Sequence, residues 1–301
     1  MPQTWLIVGG SRGIGLEFVT QLLAQGHTVI ATARAPASAP PVNSLGNGSQ
    51  LYSLTGTPNG KNLTILECDV SDDASIKRFG EQVRKLGRKG AVLERGIIDV
   101  VVLNAGVLVY PNRVSEISFK DFAHHLHTNT IGPLITAQTL LALSSPTYLP
   151  PVSVLTSPIS PNFPSTPLSI HTLVFISSDS GSTTNFRSFE DGFAAYAASK
   201  AALNQGLRHL AAELQRSKGR AAPTVLALHP GEVTTDMAAS VSLDWDVEGI
   251  ISPGESISCM LKVIAEKGKG GIDEGGHASA AGKQEEGVAT FWTWEGRRYP
   301  W

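Results

Sequence analysis

The chain alternates short apolar runs with longer amphipathic stretches. TWLIVG (4–9), TVIATAR (28–34), LTILECDV (63–70), IIDVVVLNAG (97–106), HTLVFISS (171–178) and PTVLALHPG (223–231) are nearly continuous apolar runs. Each ends in glycine or polar residues, the pattern of parallel strands buried on both faces. GVATFWTWEG (287–296) is a candidate last strand. Behind the first run, Ile14, Phe18, Leu22 and Leu23 recur at helical spacing, and Gly26 is placed to end that helix. Residues 71–87 carry acids at the start and bases at the end, as a helix dipole favours. Residues 118–143 read as one long helix with a local kink at Pro133, and 189–215 as another. Ser252, Pro253 and Glu255 open a helix over 252–267.

Two stretches break the alternation. Residues 35–62 are rich in Pro, Ser, Gly and Asn and predict a surface excursion with at most a short helix. Residues 144–170 are similar and read as an inserted surface loop, because the alternation resumes directly afterwards. Residues 1–301 are therefore expected to form a single α/β domain. Its fold class is a Rossmann-type, doubly wound parallel sheet of about seven strands flanked by helices. In such sheets ligands bind beyond the carboxyl ends of the strands. Gly9 to Gly15, Arg34, Asp69, Asn104 and Ser178 all fall there, which predicts one shared crevice.

The first of these ends reads VGGSRGIGL, with Gly9, Gly13 and Gly15 spaced around Ser11, Arg12 and Ile14. Backbone N–H groups at a helix N-terminus suit a diphosphate. The same spacing also occurs in ordinary tight turns, and its place between a strand and a helix favours the cradle. The second strand ends in Thr32-Ala33-Arg34 with no acid to hold a ribose hydroxyl. Arg34, with Arg12, can instead pair with a 2′-phosphate, so the expected cofactor is NADP(H) rather than NAD. In YAASK, Tyr196 and Lys200 share one helix face at i, i+4. An ammonium near a phenol favours the phenolate, so Tyr196 could exchange a proton with a carbonyl oxygen. Ser178 could hydrogen-bond the same oxygen.

Composition narrows the class. Apolar residues make up 42% and charged residues 17%, enough for a full core, and the net charge is −2. Nothing here points to nucleic acid or to an anionic membrane. Two cysteines give no disulfide framework and suggest a reducing compartment. No apolar run is long enough to span a bilayer, and the first residues lack a signal-peptide pattern, so a cytoplasmic location is expected. His124, His125 and His127 cluster without Cys or acidic partners, and no metal site is expected.

Together VGGSRGIG, CDV, LNAG, NTIG (129–132), ISSDSG, YAASK and HPGEVTTDM resemble, in order and spacing, the compact single-domain short-chain dehydrogenase/reductases over residues 4–237. The resemblance implies a tetrad of Asn129, Ser178, Tyr196 and Lys200. Tyr196 would be the acid/base, Lys200 would lower its pKa and hold the nicotinamide ribose, and Asn129 would hold a water in the proton relay. Gly9, Ser11, Arg12, Gly13, Ile14 and Gly15 would form the phosphate turn. Asp69 and Val70 would flank adenine, and Asn104, Ala105 and Gly106 would line the adenine-ribose side. Pro230, Gly231, Val233 and Thr235 would hold the nicotinamide end. The tail FWTWEGRRYPW resembles that of C-factor and sniffer-like carbonyl reductases.

Three departures stand out: Val8 where the family usually has threonine, no helix read at 35–62, and the 144–170 insertion. The implied activity is NADPH-dependent reduction of a ketone or aldehyde in a small metabolite. Met237, Val241, Leu243 and Trp245 in the variable lid, with Phe186, Phe189 and Phe193, suggest an apolar or aromatic one. The same tetrad would also serve a redox isomerase or an imine or conjugated-system reductase. A regulatory protein that binds NADP without turnover is the reading the complete tetrad argues against. The resemblance further implies a homodimer or homotetramer through the helices carrying Asn129 and Tyr196.

Overall fold

The computed structural model describes residues 1–34, 49–144, 167–241, 247–271 and 287–301. The expected strands form β1 (Thr4–Val8), β2 (Thr28–Ala33), β3 (Leu63–Glu67), β4 (Ile97–Leu103), β5 (Ser169–Ile176) and β6 (Thr224–His229). Two short strands follow, β7 (Glu232–Val233) and β8 (Ile250–Ile251), and then β9 (Thr290–Thr293). Seven of them make one parallel sheet in the order β3-β2-β1-β4-β5-β6-β9. Side chains alternate across it. Leu6 and Val8 enter one core, and Trp5 and Ile7 the other. On the first face pack α3 (Asp73–Leu86), α5 (Gly132–Ala142) and α6 (Ala194–Lys218), through Phe79, Leu140 and Leu207. On the second pack α1 (Gly13–Ala24) and α8 (Pro253–Lys267), through Phe18, Leu22 and Met260. Both faces are covered, which is why the strand sequences are continuously apolar.

Two expectations are corrected in detail. The single helix at 118–143 is two helices, α4 (Phe119–Leu126) and α5, joined by a π-type turn at His127–Ile131. The break precedes Pro133, which sits in the first turn of α5, where its missing N–H costs nothing. The strand expected through Val70 stops at Glu67, because the Asp69 N–H turns away to donate to Ser75 Oγ. The excursion at 35–62 does contain a short helix, α2 (Ser49–Ser53); residues 35–48 and 145–166 lie outside the described residues. The aromatic tail packs inward. Trp301 stacks on Phe291 at 5.5 Å, and its carbonyl accepts from the Thr184 N–H at 3.0 Å.

β1 lies between β2 and β4, so the strand order reverses there and a crevice opens at the carboxyl ends. The N-terminus of α1 closes against that point without side chains. A Cβ on Gly15 would stand 2.0 Å from the Gly9 carbonyl oxygen and 2.5 Å from Asn104 Nδ2. Gly15→Ala should therefore lower the unfolding free energy by about 3 kcal/mol, the upper end for overpacking. Urea titration reads this as a lowered midpoint at unchanged slope; a wild-type midpoint would contradict the packing.

Candidate active site

The cleft begins at the tip of β1. Gly9 has φ +87° and Gly13 φ +53°, the left-handed region open to glycine. A Cβ on Gly9 would also lie 2.8 Å from the Ala105 backbone. The turn is braced from both sides. The Gly9 N–H donates to Thr32 Oγ1 at 2.9 Å, and Asn104 Nδ2 donates to the Gly9 carbonyl at 2.9 Å. Thr32, which sequence reading did not single out, thus holds the turn beside Val8, a fully buried core residue.

From this turn the cleft runs along the strand ends. One end is walled by Arg12, Arg34, Asp69, Val70 and Ser71. Ser11, Gly13, Ile14, Asn104, Ala105 and Gly106 line the middle. Tyr196, Lys200, Pro230 and Met237 line the far end, and Thr235 stands beside Gly13. Gly15 lies beneath this surface, and Gly231 (φ +86°) packs under Trp294, where a Cβ would come within 2.9 Å of the ring. Val233 is buried in β7, paired with β8.

Asn129 sits in the π-type turn, fully buried behind the cleft. Its Oδ1 accepts from the Val107 N–H at 2.8 Å. Its Nδ2 donates to the Val107 carbonyl at 2.8 Å and to Ser199 Oγ at 3.0 Å. Ser199 Oγ in turn donates to the Tyr196 carbonyl at 2.7 Å. Lys200 is buried, and its Nζ donates to the Ile176 carbonyl at 2.8 Å. Burial brings its pKa down to about 8. Its Nζ lies 5.8 Å from the centre of the Tyr196 ring. The Tyr196 hydroxyl is held well above the usual phenol range, against the direction expected from a nearby ammonium. Burial is the main cause; the Ser178 hydroxyl pulls it back, while Asp179, Glu232 and Glu190 push it further up.

Ser178 is buried beside Tyr196. Its Oγ donates to Asp179 Oδ1 at 3.0 Å and accepts from the Ser180 N–H at 3.2 Å. Asp179 opens a charged cluster that sequence reading missed. Its Oδ2 pairs with Arg187 at 2.8 Å and lies 3.6 Å from His229 Nε2, and Arg187 also pairs with Glu190. Burial raises Glu190 and Glu232 above the usual carboxylate range and lowers His229. Asp179, His229 and Glu232 bring ligand atoms within 4.8 Å of one another, but Arg187 already gives Asp179 its positive partner.

The remaining expected residues are spread out. Phe186 and Phe189 are exposed, whereas Phe193 packs on Tyr110 at 5.2 Å. Leu243 and Trp245 lie outside the described residues. His124 lines the cleft, and His127 is exposed. His125 is a buried structural residue whose Nε2 accepts from the Val109 N–H at 3.1 Å.

The cleft fits an adenine dinucleotide on its own geometry. The glycine turn leaves its backbone open where Gly13 lines the cleft, since a Cβ there would meet only Thr235, at 3.6 Å. Arg12 and Arg34 are exposed and ion-paired with no described residue. The Thr128 hydroxyl, in the same wall as Val70, is buried without a hydrogen-bond partner among the described residues. A buried hydroxyl is rarely left so unless something else meets it.

The family model described as short chain dehydrogenase matches residues 3–145 and 171–245. An uncharacterized oxidoreductase of Schizosaccharomyces pombe is 30% identical over 273 residues, spanning 87% of this chain and 90% of that one. The uncharacterized oxidoreductase YKL071W of Saccharomyces cerevisiae is 31% identical over 274 residues, spanning 87% and 89%. The crystal structure of an NADPH-bound carbonyl reductase from chicken fatty liver is similar with a TM-score of 0.70 at 26% identity, covering 100% of this chain and 99% of that one. The chain is an oxidoreductase that belongs to the short-chain dehydrogenase family.

Proposed function

We propose that this enzyme uses NADPH to reduce the carbonyl group of a small, uncharged ketone or aldehyde, with Tyr196 as proton donor. The carrying observation is the polarity of the cleft: the guanidiniums of Arg12 and Arg34, unpaired among the described residues, at one end, and Tyr196 and Lys200 with Ser178 at the other. Likeness to an NADPH-bound carbonyl reductase supports the same reading. The bound cofactor supplies hydride to the carbonyl carbon. Tyr196, held above the usual phenol range, keeps its proton at neutral pH and so starts as a donor to the carbonyl oxygen. Ser178 turns its hydroxyl proton from Asp179 to that same oxygen, which it can do because one O–H serves one acceptor at a time. Lys200, an ammonium below about pH 8, holds the ribose, and Asn129 fixes the backbone of Val107 behind it. Asp179, Glu190 and Glu232 face one guanidinium, Arg187, so the substrate end disfavours anions.

Two substitutions test the ends of the cleft separately. Tyr196→Phe should lower kcat at least about a hundredfold, within the range for general acid catalysis. NADPH affinity by fluorescence titration should stay within about twofold; near-normal turnover would contradict the role of Tyr196. Arg34→Ala should weaken NADPH binding about tenfold or more, the worth of a charge-assisted hydrogen bond, while NADH binding barely changes. Equal losses for both cofactors would contradict the 2′-phosphate assignment.

A further inference from the structure

The helix that carries Tyr196 has no cap of its own. Phe193 stands at its N-cap position and makes no side-chain hydrogen bond to it. The first N–H groups of a helix have no partner within it. Here they are met by a residue 84 positions earlier in the chain. The Tyr196 N–H donates to Asn112 Oδ1 at 3.0 Å, and the Ala195 N–H donates to the Asn112 carbonyl at 3.2 Å. Asn112 is 1% exposed, and its other groups are equally committed. Its N–H donates to the Gly192 carbonyl at 2.7 Å, and its Nδ2 donates to the Val109 carbonyl at 2.6 Å.

Asn112 belongs to the loop between β4 and α4, and that loop is fastened along its length. Val107 is held by Asn129, Val109 by His125, and Arg113 by a two-pronged ion pair with Asp191 at 2.8 Å. Tyr110 leaves no room above Gly192, where a Cβ would stand 2.5 Å from its ring. One loop therefore touches two members of the tetrad, Asn129 through Val107 and Tyr196 through Asn112.

We infer that Asn112 is a positioning residue for Tyr196: it caps the catalytic helix from across the site and sets where the tyrosine hydroxyl stands. It does not line the cofactor cleft. Its loss should therefore act on the proton-transfer step and leave the cofactor alone. A displacement of about 1 Å in a reacting group costs about a hundredfold in rate.

The inference rests on the reading of Tyr196 as proton donor, so the test has one arm with turnover and one without. With NADPH and 4-nitrobenzaldehyde as probe, Asn112→Ala should lower kcat at least about tenfold while NADPH affinity stays within about twofold. Asn112→Asp keeps the oxygen that accepts from the Tyr196 N–H, and aspartate caps helices as well as asparagine does. It gives up the Nδ2 donor to the Val109 carbonyl and sets an acceptor there instead, so it restores the cap and not the whole anchor. Its kcat should exceed that of the alanine variant at least about threefold, and it carries the test if the alanine variant does not fold. Hydrogen–deuterium exchange of the Tyr196 amide reads the cap without turnover. It should quicken at least about tenfold in the alanine variant and stay within about threefold of wild type in the aspartate variant. An alanine variant with wild-type kcat, an unchanged Tyr196 amide in that variant, or an aspartate variant whose Tyr196 amide exchanges more than about tenfold faster than wild type would overturn the inference. Wild-type protein inert toward the aldehyde, with exchange behaving as expected, would instead place the failure in the reading of Tyr196.

Discussion

The tip of β1 meets the tip of β4 with no side chain between them, and the rest of the site depends on that approach. At this approach a Cβ on Gly9 or Gly15 has nowhere to go. Because they are bare, Asn104 can reach back to the Gly9 carbonyl, and the backbone N–H groups of Asn104 and Ala105 can both meet the Val8 carbonyl. That fixes the direction in which the chain leaves β4. Three residues on, Val107 is gripped by Asn129, and further along Asn112 reaches the first turn of α6. The geometry of the glycine turn and that of the helix carrying Tyr196 are thus joined by one continuous stretch of backbone.

Electrostatics divides the cleft into two halves. Arg12 and Arg34, without acidic partners among the described residues, stand at one end, where an anion would be welcome. At the other end three carboxylates share one guanidinium near a phenol and a buried lysine. Burial acts oppositely on those two groups, holding the tyrosine protonated and making the lysine easier to deprotonate. Such a resting state suits the proposed role of Tyr196 as proton donor.

Much of this was legible in the sequence because burial on both faces writes itself as an unbroken apolar run. β1, β2, β4, β5 and β6 are such runs, and the glycines at the end of β1 mark the turn. Tyr196 and Lys200 were legible because one helical turn brings them to one face. The π-type turn at Asn129 was not, since the apolar spacing of 118–143 runs through it and Pro133 draws attention to the wrong residue. Asn112, Asp179, Arg187 and His229 lie in loops or at strand ends with no period; only the fold brings Asn112 to Tyr196, and Asp179 to His229. Phe186 and Phe189, whose type suggests a pocket wall, stand exposed in the loop before α6.

The most direct measurement follows an atom rather than a rate. NADPH deuterated at the transferable position of its nicotinamide ring is incubated with the enzyme and a simple ketone, and the products are examined by mass spectrometry and NMR. Hydride delivery to a carbonyl at Tyr196 requires one deuterium on the carbinol carbon and one equivalent of NADP⁺ for each alcohol formed. Deuterium that stays with the cofactor, or a product that forms without its consumption, would contradict reduction at this site.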